Sequence, residues 1–124
     1  MSPEAQDEQD VRSVLNRYVT GYINADEATL RDVFADDAVM NGYLGDRLVA
    51  GSPEPFINRV ASEPSLASQG LDLRYDIAAV SVTGNAASAT MKEYGFGEFN
   101  FTDFMHLLKR DGHWKIISKT FSTF

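Results

Sequence analysis

His106 stands inside the apolar run Phe104-Met105-His106-Leu107-Leu108, where its imidazole is flanked by side chains that exclude water. A partly buried imidazole titrates near neutrality and can act as general acid or base. The competing reading is a core or interface histidine held by a hydrogen bond, since buried polar groups need partners. Asp111-Gly112 is a two-residue hairpin signal, and closing it pairs His106 with Ile117 and Phe104 with Lys119 across an antiparallel ladder. His106 and Lys119 then become diagonal neighbours on one face. An ammonium there lowers the proton affinity of the imidazole and can hold an anionic substrate group, whereas a snorkelling, solvated lysine is the bland alternative. Asp103, three residues before His106, points to the opposite face by strand alternation, so it is predicted to be an outer-face or interface hydrogen-bonding residue.

Tyr18 and Tyr22 fall on one helical stripe, and Tyr43 and Tyr94 on strand candidates. Several phenols can converge on one cavity as donors around an aromatic ligand, although each is also a plausible core residue. Tyr18 and His106 are therefore the candidate catalytic residues. Tyr22, Asn41, Tyr43, Phe104 and Lys119 are the candidate ligand contacts. Asp36-Asp37 suits a turn cap rather than a catalytic pair. Gly95-Phe96-Gly97 lacks the third glycine and the strand-to-helix setting of a dinucleotide site, and no phosphate loop, nucleophile elbow or zinc helix motif is present. With two histidines on different stretches and no cysteine, no metal site can be assembled on paper and no cofactor is predicted.

The absence of cysteine also removes disulfides and thiolate chemistry, so packing must hold the fold. A chain of 124 residues suits one domain, residues 1–124, able to bury about two-thirds of its unfolded surface. Apolar residues make up 44% and charged residues 23%, an ordinary globular composition. Eleven basic residues against eighteen acidic ones leave a formal charge of −7, and no basic stretch offsets it locally. Phosphate backbones are repelled, so nucleic-acid binding is not predicted. The polar, acidic segment from Met1 to Asp10 contains no basic-then-apolar pattern, and no membrane span is visible, so a cytoplasmic location without membrane partners is the expectation.

Ser2-Pro3-Glu4 is a helix start, and Val11, Val14, Leu15, Tyr18, Val19, Tyr22 and Ile23 form the apolar stripe of a long helix. Asp26 caps a second helix carrying Leu30, Val33 and Phe34, ended by Ala35-Asp36-Asp37-Ala38. Val39 to Tyr43 reads as a short strand, Leu48-Val49 as its return, and Ser52-Pro53-Glu54-Pro55 as the start of a third helix. Residues 62–70 form a loop rather than a linker. From Leu71 the period becomes two, with turns at Gly84-Asn85, Gly95-Phe96-Gly97 and Asp111-Gly112. The alternation slips near Ala78-Ala79, the mark of a β-bulge that bends the sheet. Three helices against a bent antiparallel sheet make an α+β architecture with a concave face on which a pocket can form.

Tyr18-Val19-Thr20-Gly21-Tyr22, the helix ending Phe34-Ala35-Asp36-Asp37-Ala38, Gly84-Asn85-Ala86-Ala87, Phe101-Thr102-Asp103-Phe104 and the stretch from Asp111 to Phe121 resemble the lumazine-binding-like branch of the nuclear transport factor 2-like superfamily. The resemblance spans nearly the whole chain. It implies a cone-shaped α+β fold, a pocket between helices and sheet, and a homodimer formed through the outer sheet face. It also implies functions ranging from small-molecule binding through isomerase or polyketide-cyclase-like catalysis to a protein scaffold without ligand. Against ketosteroid isomerases, Tyr18 matches the tyrosine that holds the oxyanion. Gly42 falls where the proton-abstracting aspartate stands, and His106 falls at the protonated aspartic acid if one gap is opened in the last hairpin. The partner expected from these readings is a small hydrophobic or aromatic molecule, bound by the protein as a homodimer.

Overall fold

Ser2 opens the first helix by accepting a hydrogen bond from the Ala5 amide at 3.1 Å, with Pro3 in the first turn, so α1 runs Pro3–Ile23 in the computed structural model, which describes residues 2–124. Its stripe buries Val11, Leu15, Tyr18, Val19 and Tyr22 against the sheet. Asp26 caps α2, Glu27–Val33, through the Thr29 amide and hydroxyl at 3.2 and 2.8 Å. β1 follows at once, Phe34–Leu44, turning into the three-residue β2, Arg47–Val49. Strand thus replaces the predicted helix end at residues 34–38. Phe34 pairs beside Ile116 and is buried with Ala38, so sheet pairing overrides the local turn signal. α3, Glu54–Ser62, buries Phe56, Ile57 and Val60, and a 3-10 turn, Leu66–Gln69, leads into four long strands. These are β3, Arg74–Thr83; β4, Ala86–Phe96; β5, Phe99–Arg110; and β6, His113–Thr123. Among the described residues no helix is long and apolar enough to cross a membrane.

The strands form one sheet in the order β2-β1-β6-β5-β4-β3. Every neighbouring pair is antiparallel except β1 with β6, which is parallel. The helices cover one face. Asp7 ties the start of α1 across the sheet, accepting from Lys109 Nζ at 3.0 Å and from Trp114 Nε1 at 3.2 Å, and Tyr75 donates to Asn16 at 2.8 Å. A bulge between Ala78 and Ser81 sits where the alternation slips, with Ala79 at φ 53°. Asp111 and Gly112 both have positive φ, 52° and 79°, as the tightest hairpin turn demands.

A second bulge decides which side chains face the helices. From the turn, Arg110 pairs with His113 and Leu107 with Ile116, as the two-residue hairpin requires. The register then shifts by one, so His106 pairs with Ser118 and Met105 with Lys119. The predicted pairs of His106 with Ile117 and of Phe104 with Lys119 are therefore displaced. A one-residue slip inverts the faces of everything beyond it. Along β6 the buried residues are Trp114 and Ile116 before the slip but Lys119 and Phe121 after it. Lys119 turns inward beside Asp103 and Met105, while His106 and Phe104 stay on the far face.

Close strand contact at the β1–β6 seam leaves no room for a side chain at Gly42, where a methyl would overlap the carbonyl oxygen and ring of Phe121. Gly42→Ala is expected to lower the unfolding free energy by about 3 kcal/mol, at the upper end of overpacking costs, seen as a reduced urea midpoint at unchanged slope.

Candidate functional site

Glu93 on β4, Asp103 on β5 and Lys119 on β6 point to the helix-covered face from three adjacent strands. Glu93 lies diagonally from Asp103, since Met91 is the partner of Asp103 and Phe101 that of Glu93; Asp103 lies diagonally from Lys119, which faces Met105. All three are almost wholly buried, at 1%, 0% and 3% exposure. α1 completes the group with the buried Tyr18, whose hydroxyl accepts a hydrogen bond from Lys119 Nζ at 2.5 Å. The ammonium lies 3.8 Å from Asp103 Oδ2 and 4.6 to 5.0 Å from the ring centroids of Phe56, Tyr18 and Phe121. An ammonium removed from water is thus met by one carboxyl, one phenol oxygen and three aromatic faces.

Two carboxyls against one cation need a proton. Glu93 Oε1 and both Asp103 oxygens have no donor as they stand, and a proton on Glu93 lets it hydrogen-bond Asp103. Burial, then the neighbouring Asp103, pushes the Glu93 carboxyl well above its ordinary value, with Lys119 opposing. The protonated Glu93 leaves one negative charge facing one ammonium. Burial also raises the Tyr18 phenol well above its usual range, with Glu93 and Asp103 adding to the effect. Tyr22 is raised to about 12 by burial first and Glu93 next, with Arg59 opposing. Both phenols are neutral hydrogen-bonding groups at physiological pH.

A cavity of about 150 Å³ opens onto this group. Its floor is Glu93 and Lys119, with Tyr22 on the wall. Met40 and Leu44 of β1, Val49 of β2, Phe56 of α3, Phe101 of β5 and Phe121 of β6 make the apolar sides, and Arg47 and Arg59 also line it. The packing of Tyr22 on Phe56 at 5.1 Å and on Phe96 at 5.4 Å, both edge to face, stiffens the wall. A larger, open groove of about 540 Å³ adjoins it, lined by Tyr22, Leu44, Arg47, Arg59 and Phe101 together with Glu63 and Glu98.

The structure sorts the predicted site residues. Tyr22 and Lys119 line the cavity, and Tyr18 stands behind Lys119 in the core. His106 is exposed on the other face of the sheet, as are Phe104, 51% exposed, and Tyr43, 47% exposed. Asn41 also points away from the cavity, alternating with the inward Met40, and its side chain accepts from the Gly51 amide at 3.2 Å. His106 therefore cannot share a proton-transfer site with Tyr18, and the proposed His106–Lys119 pair is undone by the bulge at Ile117. Asp103, predicted to lie on the outer face, is fully buried on the inner one. Glu93 and Arg59 were missed. The signal for Glu93 was its place in the alternation of Ala87, Ala89 and Met91, which puts it on the apolar face. Among the described residues no group of three or more His, Asp or Glu is placed to hold a metal ion.

Residues 6–122 match the family model described as "Putative lumazine-binding", so the chain belongs to that family, within the nuclear transport factor 2-like superfamily. Among solved structures it is similar to a nuclear transport factor 2-like protein of unknown function from Shewanella baltica OS155, at 26% identity, TM-score 0.83, covering 100% of this chain and 98% of that one. A similar protein of unknown function from Silicibacter pomeroyi DSS-3 aligns at 24% identity and TM-score 0.85 over the full length of both chains. A structure described as a putative ketosteroid isomerase from Shewanella frigidimarina NCIMB 400 aligns at 21% identity and TM-score 0.68, covering 89% of this chain and 92% of that one, which shows a shared fold. No curated protein matches the sequence. The architecture is the α+β cone of this superfamily.

The raised Glu93 carboxyl makes a signed prediction. Between its ordinary value of 4.5 and its higher folded-state value, the folded chain holds a proton that the unfolded chain has lost, so stability falls as pH rises through that window. Glu93→Gln removes this dependence. Relative to the unaltered protein, the variant should gain about 1.4 kcal/mol per pH unit from pH 5 upward, measured by urea unfolding at successive pH values. A constant difference between the two proteins would place the proton elsewhere.

Proposed function

We propose that this protein binds a small, ring-bearing molecule whose inner end both donates and accepts a hydrogen bond, as a hydroxyl or an amide does. The observation that carries the reading is Glu93, 1% exposed and short of hydrogen-bond partners, on the floor of a cavity with otherwise largely apolar sides. A carboxyl buried without partners costs stability, and a ligand that supplies them offsets that cost. Lys119 beside it offers N–H groups to an accepting atom, since an ammonium has three and Tyr18 takes one. About 150 Å³ is the space of a single aromatic ring. Aromatic and thioether side chains suit the face of such a ring, and the neutral Tyr22 hydroxyl gives it a further polar contact. The domain's membership of a family carrying a ligand-binding description agrees with this reading.

Benzamide is the probe. With methionine methyls labelled with carbon-13, titration should move the Met40 resonance, which belongs to the cavity wall, with a dissociation constant on the order of 1 mM for so small a ligand. Val49→Trp places an indole in the cavity lining and should abolish the shift while the Met91 resonance, from the buried core, stays in place. An unmoved Met40 methyl, or equal binding by the Trp variant, would overturn the proposal.

A further inference from the structure

Charge around the cavity is distributed in a way that identifies the other end of its ligand. The chain has eleven lysines and arginines against eighteen acidic residues. Eight of the eleven make ion pairs with carboxylates: Arg12, Arg17, Arg31, Arg74, Lys109, Arg110, Lys115 and Lys119. Among the described residues the three left without one are Arg47, Arg59 and Lys92. Lys92 is satisfied elsewhere, donating to Thr102 at 3.1 Å and lying 4.6 Å from the Phe124 ring centroid. The other two both line the cavity and the adjoining groove. Both are exposed, and Arg59 lies beside the Tyr22 hydroxyl and the Phe56 ring, but no carboxylate pairs with either, so two guanidiniums at one opening are available to an anion.

They reach the cavity from different elements. Arg47 comes from β2, and Arg59 from α3, where its guanidinium carbon lies 5.9 Å from the Phe56 ring centroid. Phe56 is the same ring whose centroid lies 4.6 Å from the Lys119 ammonium, so the aromatic wall connects the polar floor to the arginines. The floor itself carries no free charge to offer, because the Lys119 ammonium is balanced by the carboxyl of Asp103. A ligand's negative charge therefore belongs at the arginines, not at the floor. Glu63 and Glu98 line the same groove, and neither forms an ion pair with Arg47 or Arg59 among the described residues. Two carboxylates in the groove disfavour a ligand with a second negative charge there, and the cavity of about 150 Å³ limits the ligand to a small acid.

We propose that the ligand class is small monocyclic carboxylic acids, bound with the ring in the cavity, the carboxylate on Arg47 and Arg59, and a hydroxyl or similar group at Glu93 and Lys119. Guanidinium groups match a carboxylate's two oxygens with paired N–H donors, which an amide of the same shape cannot use as well. This inference rests on the cavity being a ligand site, and its test separates the two. Calorimetric titration at neutral pH compares 4-hydroxybenzoate with 4-hydroxybenzamide, which differ only at the charged end. The acid should bind at least about tenfold more tightly, and its advantage should shrink as salt is raised from about 20 to about 300 mM, which takes the screening length from above to below ~10 Å, the dependence expected of partly solvated charges. Arg59→Gln and Arg47→Gln should each lower the ratio of acid to amide affinity about fivefold or more. Equal affinities for acid and amide, or an acid preference that survives both Gln substitutions, would overturn the anion assignment while leaving the cavity a ligand site. Failure of both compounds to bind would remove the cavity reading and this inference with it.

Discussion

One ammonium, removed from water at the centre of the helix–sheet interface, organises the interior of this protein. Lys119 can stay there because Asp103 balances its charge, Tyr18 accepts one of its hydrogens, and aromatic faces surround the remainder. Its partners come from α1, α3, β5 and β6, with Glu93 of β4 next in line, so the cluster joins two helices to three adjacent strands. A buried ion pair of this kind adds little net stability, because desolvation cancels much of the attraction. Its consequence is specificity of arrangement: any packing that exposes one member strands the others without partners.

The same cluster explains why a hollow persists where an apolar core would close. Four polar side chains in one layer cannot be packed against methyl groups without losing hydrogen bonds, and Glu93 and Asp103 already lack donors. The space in front of Glu93 and Lys119 is held open by Phe56, Phe101 and Phe121, whose rings resist collapse. Dry aromatic sides, a neutral acid on the floor and arginines near the opening make an environment that changes from hydrogen-bonding without net charge to positively charged over the length of one ring. Three solved neighbours share the cone at 21–26% identity, which is why residues, not architecture, carry the functional argument.

The bulge in β6 is the geometric event on which this arrangement turns. Had the hairpin from Asp111-Gly112 continued in register, Lys119 would lie on the face of Phe104 and His106 and the interior would hold an unpaired Asp103. Inserting one residue at Ile117 brings the cation to the carboxyls. The bulge between Ala78 and Ser81 does similar work on β3, and together such slips let a sheet of long strands bend around its helices.

The sequence by itself determined the elements and their order. The α1 stripe, the caps at Ser2 and Asp26, the three hairpin turns and the slip at Ala78-Ala79 are all local features, and local features are what propensity and periodicity report. It also marked Tyr18, Tyr22 and Lys119 as residues of interest. Only the tertiary structure decided which face each strand residue occupies beyond the β6 bulge. Nothing in His113-Trp114-Lys115-Ile116-Ile117-Ser118-Lys119 announces where the register slips, since the slip is settled by pairing with β5 on one side and with β1, parallel, on the other. That choice drew Lys119 to the inner face beside Asp103 and away from His106, while the packing of helices on the sheet left Phe104, Asn41 and Tyr43 outside and put Glu93 and Arg59 at the cavity. Alternation is a property of one strand, but inside and outside belong to the assembled sheet, where burying one charge is tolerable only if the partner strands bring its opposite.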